Sequence, residues 1–142
     1  MLNTALRIQQ GSWDELQQDA KIIREHVFIQ EQQIAEADEW DAEDATALHF
    51  VVFLNAQAVA TARLLTDHSI GRVAVLKEYR GLKIGQQLMQ EIMHIALLQQ
   101  RPFVKLSAQV YAIGFYQALG FKAEGEQYLD CGIPHIDMRY LF

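Results

Sequence analysis

The sequence predicts a single α+β (α/β) domain built on a mixed, mostly antiparallel sheet. Three successive β-type runs between residues 49 and 76 are separated by short polar turns, which is typical of an antiparallel meander. A glycine-bearing turn and an amphipathic helix follow, and such a helical crossover places the next strand parallel to the one before it. The 142 residues are 51% hydrophobic, and no linker or repeat divides them, so one domain over residues 1–142 is expected.

The first elements are a strand and a capped helix. Leu2 to Gln9 alternates as a strand, and Ser12-Trp13-Asp14-Glu15 has the spacing of a capping box. The helix is predicted to run to about Phe28. Its inward stripe consists of Leu16, Ala20, Ile23 and Val27, with Trp13 as an open candidate.

An acidic segment without Lys or Arg follows this helix. Its lack of periodicity predicts a loop or a short helical excursion whose charges are solvated. The alternative is that some carboxylates attract a cationic amine substrate. The seven acids are Glu31, Glu36, Asp38, Glu39, Asp41, Glu43 and Asp44.

The second half of the chain continues the alternation of strands and helices. The meander strands are His49–Leu54, Ala58–Leu65 and Ser69–Leu76, and the crossover helix runs from Ile84 to Leu98. Later elements are a strand at Phe103–Ala108, a short helix at Ala112–Leu119 ended by Gly120, and a terminal hairpin. The hairpin strands, Lys122–Leu129 and His135–Leu141, are expected to turn at Gly132-Ile133-Pro134.

The turn from Arg80 to Gly85 has the features of an anion site. It joins the third meander strand to a helix N-terminus, where about four N–H groups are unpaired, and glycine lets a phosphate approach the backbone. Arg72, Lys77, Arg80 and Lys83 surround it, although the whole chain has a net charge of -6. An ordinary junction with solvated basic residues is the alternative. Neither G-x-x-x-x-G-K-[S/T] nor G-x-G-x-x-G is present, so the anion is not expected to be ATP or NAD.

Composition excludes several other classes. Cys131 is the only cysteine, so an intrachain disulfide and a thiolate metal cluster are excluded, and we predict no metal site. The acidic balance argues against nucleic acid as a partner. No apolar run approaches the ~18 residues needed to cross a bilayer, and the N-terminus lacks the apolar core of a signal peptide. We therefore expect a cytoplasmic protein with no membrane partner.

The motifs resemble those of the GCN5-related N-acetyltransferase (GNAT) superfamily over nearly the whole chain. The family signature Q/R-x-x-G-x-G/A reads Arg80-Gly81-Leu82-Lys83-Ile84-Gly85 here, with Lys83 at the usual middle glycine. Phe115-Tyr116-Gln117-Ala118-Leu119-Gly120-Phe121 matches F-Y-x-x-x-G-F. Two further segments, residues 28–33 and 132–135, resemble a small bacterial subgroup of ElaA-like and YjcF-like acetyltransferases.

This resemblance implies a fold and an acetyl-CoA site. The fold would have six to seven strands, a central splayed parallel pair and about four flanking helices. Backbone groups of Val73, Ala74 and Val75 would meet the pantetheine arm, and Phe115 and Tyr116 would lie beside it. The turn of Arg80, Gly81, Leu82, Lys83, Ile84 and Gly85 would hold the pyrophosphate, and the Lys83 N–H can point at it provided that Lys83 avoids positive φ.

The resemblance also implies catalytic roles. Tyr116 is the expected general acid, because the family places this phenol beside the sulfur and an unperturbed phenol stays protonated at neutral pH. His135 is the expected base, with Glu31 as a second candidate for base or amine anchor. Arg63 is expected either to form a charged wall of the acceptor pocket or to make an ion pair on an edge strand. His49 and His26 are interpreted as structural.

The predicted function is transfer of an acetyl group from acetyl-CoA to a small amine acceptor in a ternary complex. Two alternatives remain at this point: a non-catalytic acyl-CoA sensor, and an enzyme that modifies peptides or proteins. The sequence does not identify the acceptor, and it leaves a homodimer open.

Overall fold

The computed structural model describes residues 6–142. Over this range the chain forms seven strands and four α-helices, with a π-helical segment and short 3-10 turns between them. The strands are β1 (Leu6–Gly11), β2 (Leu48–Leu54), β3 (Gln57–Leu64), β4 (Ile70–Val75), β5 (Phe103–Gln109), β6 (Lys122–Asp130) and β7 (Ile133–Leu141). The helices are α1 (Trp13–Arg24), α2 (Glu36–Glu39), α3 (Ile84–Leu98) and α4 (Ile113–Ala118).

Helix α1 begins as its sequence predicts. The Glu15 N–H donates to the Ser12 hydroxyl at 3.3 Å, and the Ser12 N–H donates to the Glu15 carboxylate at 3.0 Å. These two bonds confirm the capping box. The helical path continues beyond its predicted end at Phe28, because Glu25–Glu31 forms a π-helical extension. The predicted stripe of Leu16, Ala20, Ile23 and Val27 is buried.

The first sheet has the order β1-β2-β3-β4, and every neighbouring pair is antiparallel. The predicted meander is therefore confirmed. The predicted strand from Leu2 to Gln9 lies partly outside the described residues, and β1 extends beyond it to Gly11. In this order β3 is an interior strand.

Strand β4 carries one extra residue relative to β3. Thr61 lies opposite Ala74 and Arg63 lies opposite Gly71, so three steps along β4 match two along β3. Arg72 lies within this irregularity and has a φ of +50°. An extra residue of this kind bends its strand and increases the local twist. The bend lies a few residues beyond Ser69, which directly precedes β4 and forms a bridge to β5.

The second sheet has the order β5-β7-β6 and is antiparallel. It meets the first sheet at one parallel bridge between Ser69 and Lys105, where the Lys105 N–H donates to the His68 carbonyl at 3.1 Å. Beyond this bridge β4 and β5 no longer pair, which leaves a gap at the centre of the molecule. The predicted pair of splayed parallel strands is confirmed.

The terminal hairpin turns earlier than predicted. Its two turn residues are Cys131 and Gly132, which have φ values of +51° and +76°. Two positive φ values are typical of a tight hairpin turn that matches the twist of its strands. Pro134 cannot adopt such a conformation, because its ring fixes φ near -65°. The predicted turn at Gly132-Ile133-Pro134 is therefore wrong, and Ile133 and Pro134 belong to β7.

Two apolar clusters hold the elements together. The larger one packs α3 against both sheets, and the predicted α3 face of Ile84, Leu88, Ile92 and Ala96 is buried with Met89. The smaller one packs α1 and the π-helical segment on the other face of the first sheet, against Val51 and Ala74. Within residues 6–142 no helix is long and apolar enough to cross a membrane.

Candidate active site

The gap between β4 and β5 exposes backbone groups of β4. The Leu76 N–H donates to the Val59 carbonyl of β3 at 2.9 Å. Because backbone groups alternate in direction along a strand, those of Val75 and Val73 point away from β3 and toward the gap. A strand edge without a neighbouring strand can receive an extended ligand arm by backbone hydrogen bonding, although here the Val75 carbonyl already accepts from Arg80 Nε. This edge fits the predicted role of Val73 and Val75.

The turn before α3 adopts two left-handed residues, Gly81 with φ +82° and Lys83 with φ +64°. The expectation that Lys83 avoids positive φ is therefore wrong. Lys83 takes the conformation that glycine adopts most easily, at a cost of about 1 kcal/mol. It is also the N-cap residue, and its side chain makes no capping bond. The first intrahelical bond runs from Gln87 N–H to the Lys83 carbonyl at 3.1 Å, so the N–H groups of the first turn lack helical partners.

Gly85 lies where three predicted cofactor residues converge. A Cβ atom at Gly85 would lie 3.5 Å from Phe115 Cζ and 3.6 Å from Val75 Cγ2. The end of β4, the start of α3 and helix α4 thus meet at this position. Two predicted residues differ in their surroundings, since Ala74 and Ile84 are both 3% exposed and their side chains are not available to a ligand. The backbone groups of Ala74 point toward β3, like those of Leu76.

Arg80 and Glu31 form a bidentate ion pair beside this turn. Arg80 Nη1 and Nη2 donate to the two Glu31 carboxylate oxygens at 2.6 and 2.8 Å, and Arg80 Nε donates to the Val75 carbonyl at 2.9 Å. The hydrogen bonds from Arg80 lower the pKa of Glu31. A carboxylate with a lowered pKa is a weak proton acceptor. This geometry does not favour Glu31 as the base.

A cleft of about 670 Å³ opens between the two sheets. Val73, Tyr116 and His135, three of the residues singled out from sequence, line it together. Glu31 and Arg63 are not among its lining residues. The cleft therefore brings the expected acid and base to one space beside the free edge of β4.

Tyr116 presents a protonated phenol to this cleft. Its ring packs edge-on against Phe115 and Phe121, with centroid distances of 5.0 and 6.0 Å. Burial raises the pKa of Tyr116 well above that of a free phenol. Among the described residues its hydroxyl has no hydrogen-bond partner, so it is available to a ligand.

His135 is buried and held in one tautomer. Its ring Nδ1 lies 2.7 Å from the Ile133 carbonyl. Since a carbonyl only accepts, Nδ1 carries the proton and Nε2 carries the lone pair in the neutral ring. The residue is 8% exposed, and Tyr128 stacks over it at 6.1 Å. His135 thus offers a basic nitrogen, and the structural and catalytic interpretations are both compatible with its backbone bond.

Comparison with known proteins agrees with this geometry. The profile of the acetyltransferase (GNAT) domain matches residues 15–142. Escherichia coli ElaA is 37% identical over 126 residues, which cover 82% of this chain and 81% of ElaA. The uncharacterized N-acetyltransferase YjcF of Bacillus subtilis is 31% identical over 129 residues, with 88% and 92% coverage. The chain belongs to the GNAT acetyltransferase family.

Solved structures confirm the GNAT fold. A crystal structure of a putative N-acetyltransferase from Lactobacillus plantarum has a TM-score of 0.88 at 26% identity, and the match covers 96% of this chain and 98% of that chain. The crystal structure of Escherichia coli ElaA has a TM-score of 0.83 at 34% identity, with 94% and 98% coverage. The predicted subgroup resemblance is thus supported in both sequence and structure.

Part of the acidic segment of this GNAT chain is buried, which corrects the expectation that it is solvated. Glu39 and Asp44 are 2% and 4% exposed. Arg24 donates to both, at 2.7 and 2.8 Å. Burial raises the pKa of Glu39, and nearby Arg72 and Arg24 oppose this shift. We call Arg24, Arg63, Arg72, Glu39, Asp41 and Asp44 the arginine–carboxylate cluster.

Arg63 belongs to this cluster. It donates to Asp41 at 2.7 Å and to Asp44 at 2.9 Å, and it is 4% exposed. The predicted ion pair is present, but β3 is an interior strand, so the expected edge position is wrong. The neighbouring His49 donates from Nε2 to the Asp44 carbonyl at 2.9 Å, which confirms its structural interpretation. His26 is exposed on the π-helical segment.

Sequence reasoning missed a polar network on the cleft face of the second sheet. Tyr128 donates to Asp137 at 2.6 Å, and its hydroxyl also contacts that of Ser107. The signal was the strict alternation of polar and apolar residues along 104–109 and 135–139. This alternation predicts one polar face, but which polar residues meet depends on the register of three strands.

Proposed function

We propose that this GNAT protein is an acetyl-CoA-dependent N-acetyltransferase that acetylates a primary amine of a small molecule. The observation that supports it best is the shared cleft, in which Tyr116, His135 and the free edge of β4 meet. The volume of about 670 Å³ lies within the range of small-molecule sites.

The residues present fit acetyl-CoA. The N–H groups at the start of α3 can meet a diphosphate, and Lys83 has no ion-pair partner among residues 6–142 and can add its charge. The edge at Val73 and Val75, where the Val75 carbonyl already accepts from Arg80 Nε, can bond the amides of the pantetheine arm through its other backbone groups. Bound acetyl-CoA would supply an activated thioester. The protein would supply its orientation.

Acetyl transfer to an ammonium group removes two protons from the nitrogen and adds one to the sulfur. An alkyl ammonium has an unperturbed pKa near 10.4, so most of the acceptor is protonated at neutral pH. His135 Nε2 takes one proton from the ammonium, and the lone pair that this frees forms the new C–N bond to the acetyl carbon. The nitrogen loses its second proton to the departing thiolate or to solvent as the C–S bond breaks. The C–S bond breaks, and the departing thiolate receives a proton or a hydrogen bond from Tyr116.

The raised pKa of Tyr116 limits how it acts. Full proton transfer from a weak phenolic acid to a thiolate is uphill. A hydrogen bond from the phenol to the sulfur still stabilises the charge that develops as the C–S bond lengthens. We therefore propose that Tyr116 acts first as a hydrogen-bond donor and that protonation of the thiolate is completed late or from solvent.

Two measurements test this proposal. Calorimetry with CoA measures cofactor binding, and a thiol-release assay with acetyl-CoA and a panel of amines, amino acids and peptides measures transfer. We expect CoA binding and acceptor-dependent thiol release with small amines. Cofactor binding without release for any acceptor would favour the sensor, and loss of both would overturn the proposal. A parallel series of longer acyl-CoA donors tests the preference for acetyl.

A further inference from the structure

The cleft face of the second sheet carries a carboxylate without a basic partner. Asp137 lines the cleft on β7, directly opposite Ser107 of β5. Among the described residues no Lys, Arg or His lies within ion-pair distance of Asp137. Two bases on the same face have other partners, since Arg139 pairs with Glu124 at 2.6 Å and Lys105 pairs with Asp67 at 3.8 Å. The charge of Asp137 is therefore free to meet a cationic ligand.

Tyr128 fixes the direction of this carboxylate. Its hydroxyl donates to Asp137 Oδ1 at 2.6 Å and contacts the Ser107 hydroxyl. Burial, followed by the bond to Asp137, raises the pKa of Tyr128, so the phenol keeps its proton and remains the donor. The Ser107 hydroxyl then donates to Tyr128 in turn. Asp137 Oδ2 is left for a further partner.

The same tyrosine holds the expected base. Tyr128 lies opposite His135 in the register of β6 and β7, and the two rings stack with an angle of 21° between their planes. The bond from Nδ1 to the Ile133 carbonyl holds the imidazole on its other side. One residue thus restrains both His135 and Asp137.

Spacing places these two groups within reach of one nitrogen atom. His135 and Asp137 lie two residues apart on one face of β7, which corresponds to about 6.7 Å along a strand. A nitrogen between them can be about 3 Å from each, which is hydrogen-bond distance. We propose that Asp137 binds the ammonium group of the acceptor and presents it to His135 Nε2, with Tyr128 as the positioning residue. This inference rests on the proposed function and adds the site that selects a protonated amine.

Kinetics of three variants test the assignment with the best acceptor found in the amine panel. Asp137→Asn keeps an acceptor for Tyr128 but removes the charge, so KM for the amine should rise roughly 10- to 100-fold while CoA affinity is unchanged. Tyr128→Phe keeps the stacked ring and should raise KM by less. Tyr128→Leu loses the ring as well and should also lower kcat, which a purely structural role with intact folding does not predict.

Asp130→Asn is the matched control. It removes the same charge from the same cleft, two residues from Tyr128, and the hydrogen bond from Tyr128 to Asp137 remains in place. Its KM should stay near that of the wild type. An equal rise in KM for Asp130→Asn and Asp137→Asn would overturn the specific site, because general attraction would then explain both.

A binding measurement keeps the inference testable if no amine is acetylated. The imidazole NMR signals of His135 are followed during titration with n-propylammonium chloride, with sodium chloride at equal ionic strength as the reference. We expect ammonium-specific shifts in the wild type and in Asp130→Asn, and none in Asp137→Asn. Absence of such shifts in the wild type would overturn the ammonium site, whereas shifts without thiol release would count against the proposed function alone.

Discussion

The three candidate catalytic residues differ in whether their reactive groups already have a partner within the protein. Tyr116 is a half-buried phenol with a hydroxyl that has no partner among the described residues, and His135 is a buried imidazole with one nitrogen bonded to the backbone. Glu31 has its carboxylate bound by Arg80. A side chain without a committed partner can serve a ligand, and this separates the two favoured catalytic candidates from the third.

Replacing Tyr116 with Phe should lower kcat roughly 100-fold or more, because the hydrogen bond to the leaving sulfur is lost. CoA affinity should change little, since the ring and its packing remain. Thiol release and calorimetry measure the two quantities. Tyr111→Phe is the control, because Tyr111 lines the same cleft and is 81% exposed. An unchanged kcat in Tyr116→Phe would exclude the phenol from catalysis.

Replacing Lys83 with Gly should change protein stability and CoA affinity in opposite directions. Glycine relieves the left-handed strain, so the free energy of unfolding should rise by up to about 1 kcal/mol, less the entropy that glycine adds to the unfolded chain. CoA affinity should fall roughly 3- to 10-fold, because the ammonium group is lost. Gln100→Gly is the matched control, since Gln100 also has a positive φ, +60°, at the other end of α3. Equal CoA affinities for all three proteins would contradict the role of Lys83.

At the scale of elements, caps and turns explain where the segments begin. The capping box at Ser12 and the start of α3 at Lys83 both follow local sequence. The π-helical extension of α1 does not, because the 3.6-residue periodicity of the stripe gives no sign of a wider turn.

Replacing Ser12 with Ala should reduce the free energy of unfolding by about 1 kcal/mol, because one cap of α1 is lost. Urea unfolding measures the change. Ser12→Thr should retain most of the stability, since threonine keeps the hydroxyl. Equal losses in the two variants would point to packing at this position and not to the cap.

The ion pair between Glu31 and Arg80 joins the π-helical segment to the turn before α3, where we propose that the diphosphate binds. Replacing Glu31 with Gln should strengthen CoA binding roughly 3-fold at low salt, because Arg80 is released toward the diphosphate and a negative charge is removed. Glu25→Gln, on the same segment, removes an exposed charge away from this pair. A large fall in kcat with unchanged CoA affinity would instead support the assignment of Glu31 as the base.

At the scale of the whole molecule, the arginine–carboxylate cluster connects α1, the acidic segment and two strands of the first sheet. Arg72 donates to the Glu39 carbonyl at 2.9 Å from the irregular position of β4. Arg72 therefore connects the bend of β4 to α2. Helix α2 borders the cleft, since Asp38 and Glu39 are among the lining residues.

The cluster should give a measurable acid dependence. Hydrogen bonds from Arg63 lower the pKa of Asp41 from 3.8 to about 2. A carboxyl group with a lowered folded pKa contributes stability above its unfolded pKa, and this contribution is lost as the pH falls from about 4 to about 2. Urea unfolding over this range should show a steeper loss for the wild type than for Asp41→Asn. Glu39, whose pKa is raised, acts with the opposite sign and is present in both proteins, so parallel pH curves would contradict the assignment.

Much of the fold was predictable because its signals are local. The capping box, the face of α3 and the meander depend on spacings of a few residues, and their bounds agree closely with the structure. The hairpin turn was misplaced because Gly132 and Pro134 both favour turns, and only the pairing of β6 with β7 selects Cys131 and Gly132. Among the candidate site residues, Tyr116 and His135 both line the cleft. Arg63 instead forms ion pairs in the arginine–carboxylate cluster, with acids at least 19 positions away in the sequence.

The sequence by itself determined the GNAT fold, the glycine-bearing turn before α3 and the choice of Tyr116 and His135 as candidates, since these follow from local patterns and motifs. Only the tertiary structure decided which charges are satisfied inside the protein and which remain free for a ligand. Glu31 and Arg80 are 49 positions apart, and Tyr128 reaches Asp137 only through the register of a bulged hairpin. Charge pairing depends on distances of a few ångströms in space, and separation along the chain does not encode them.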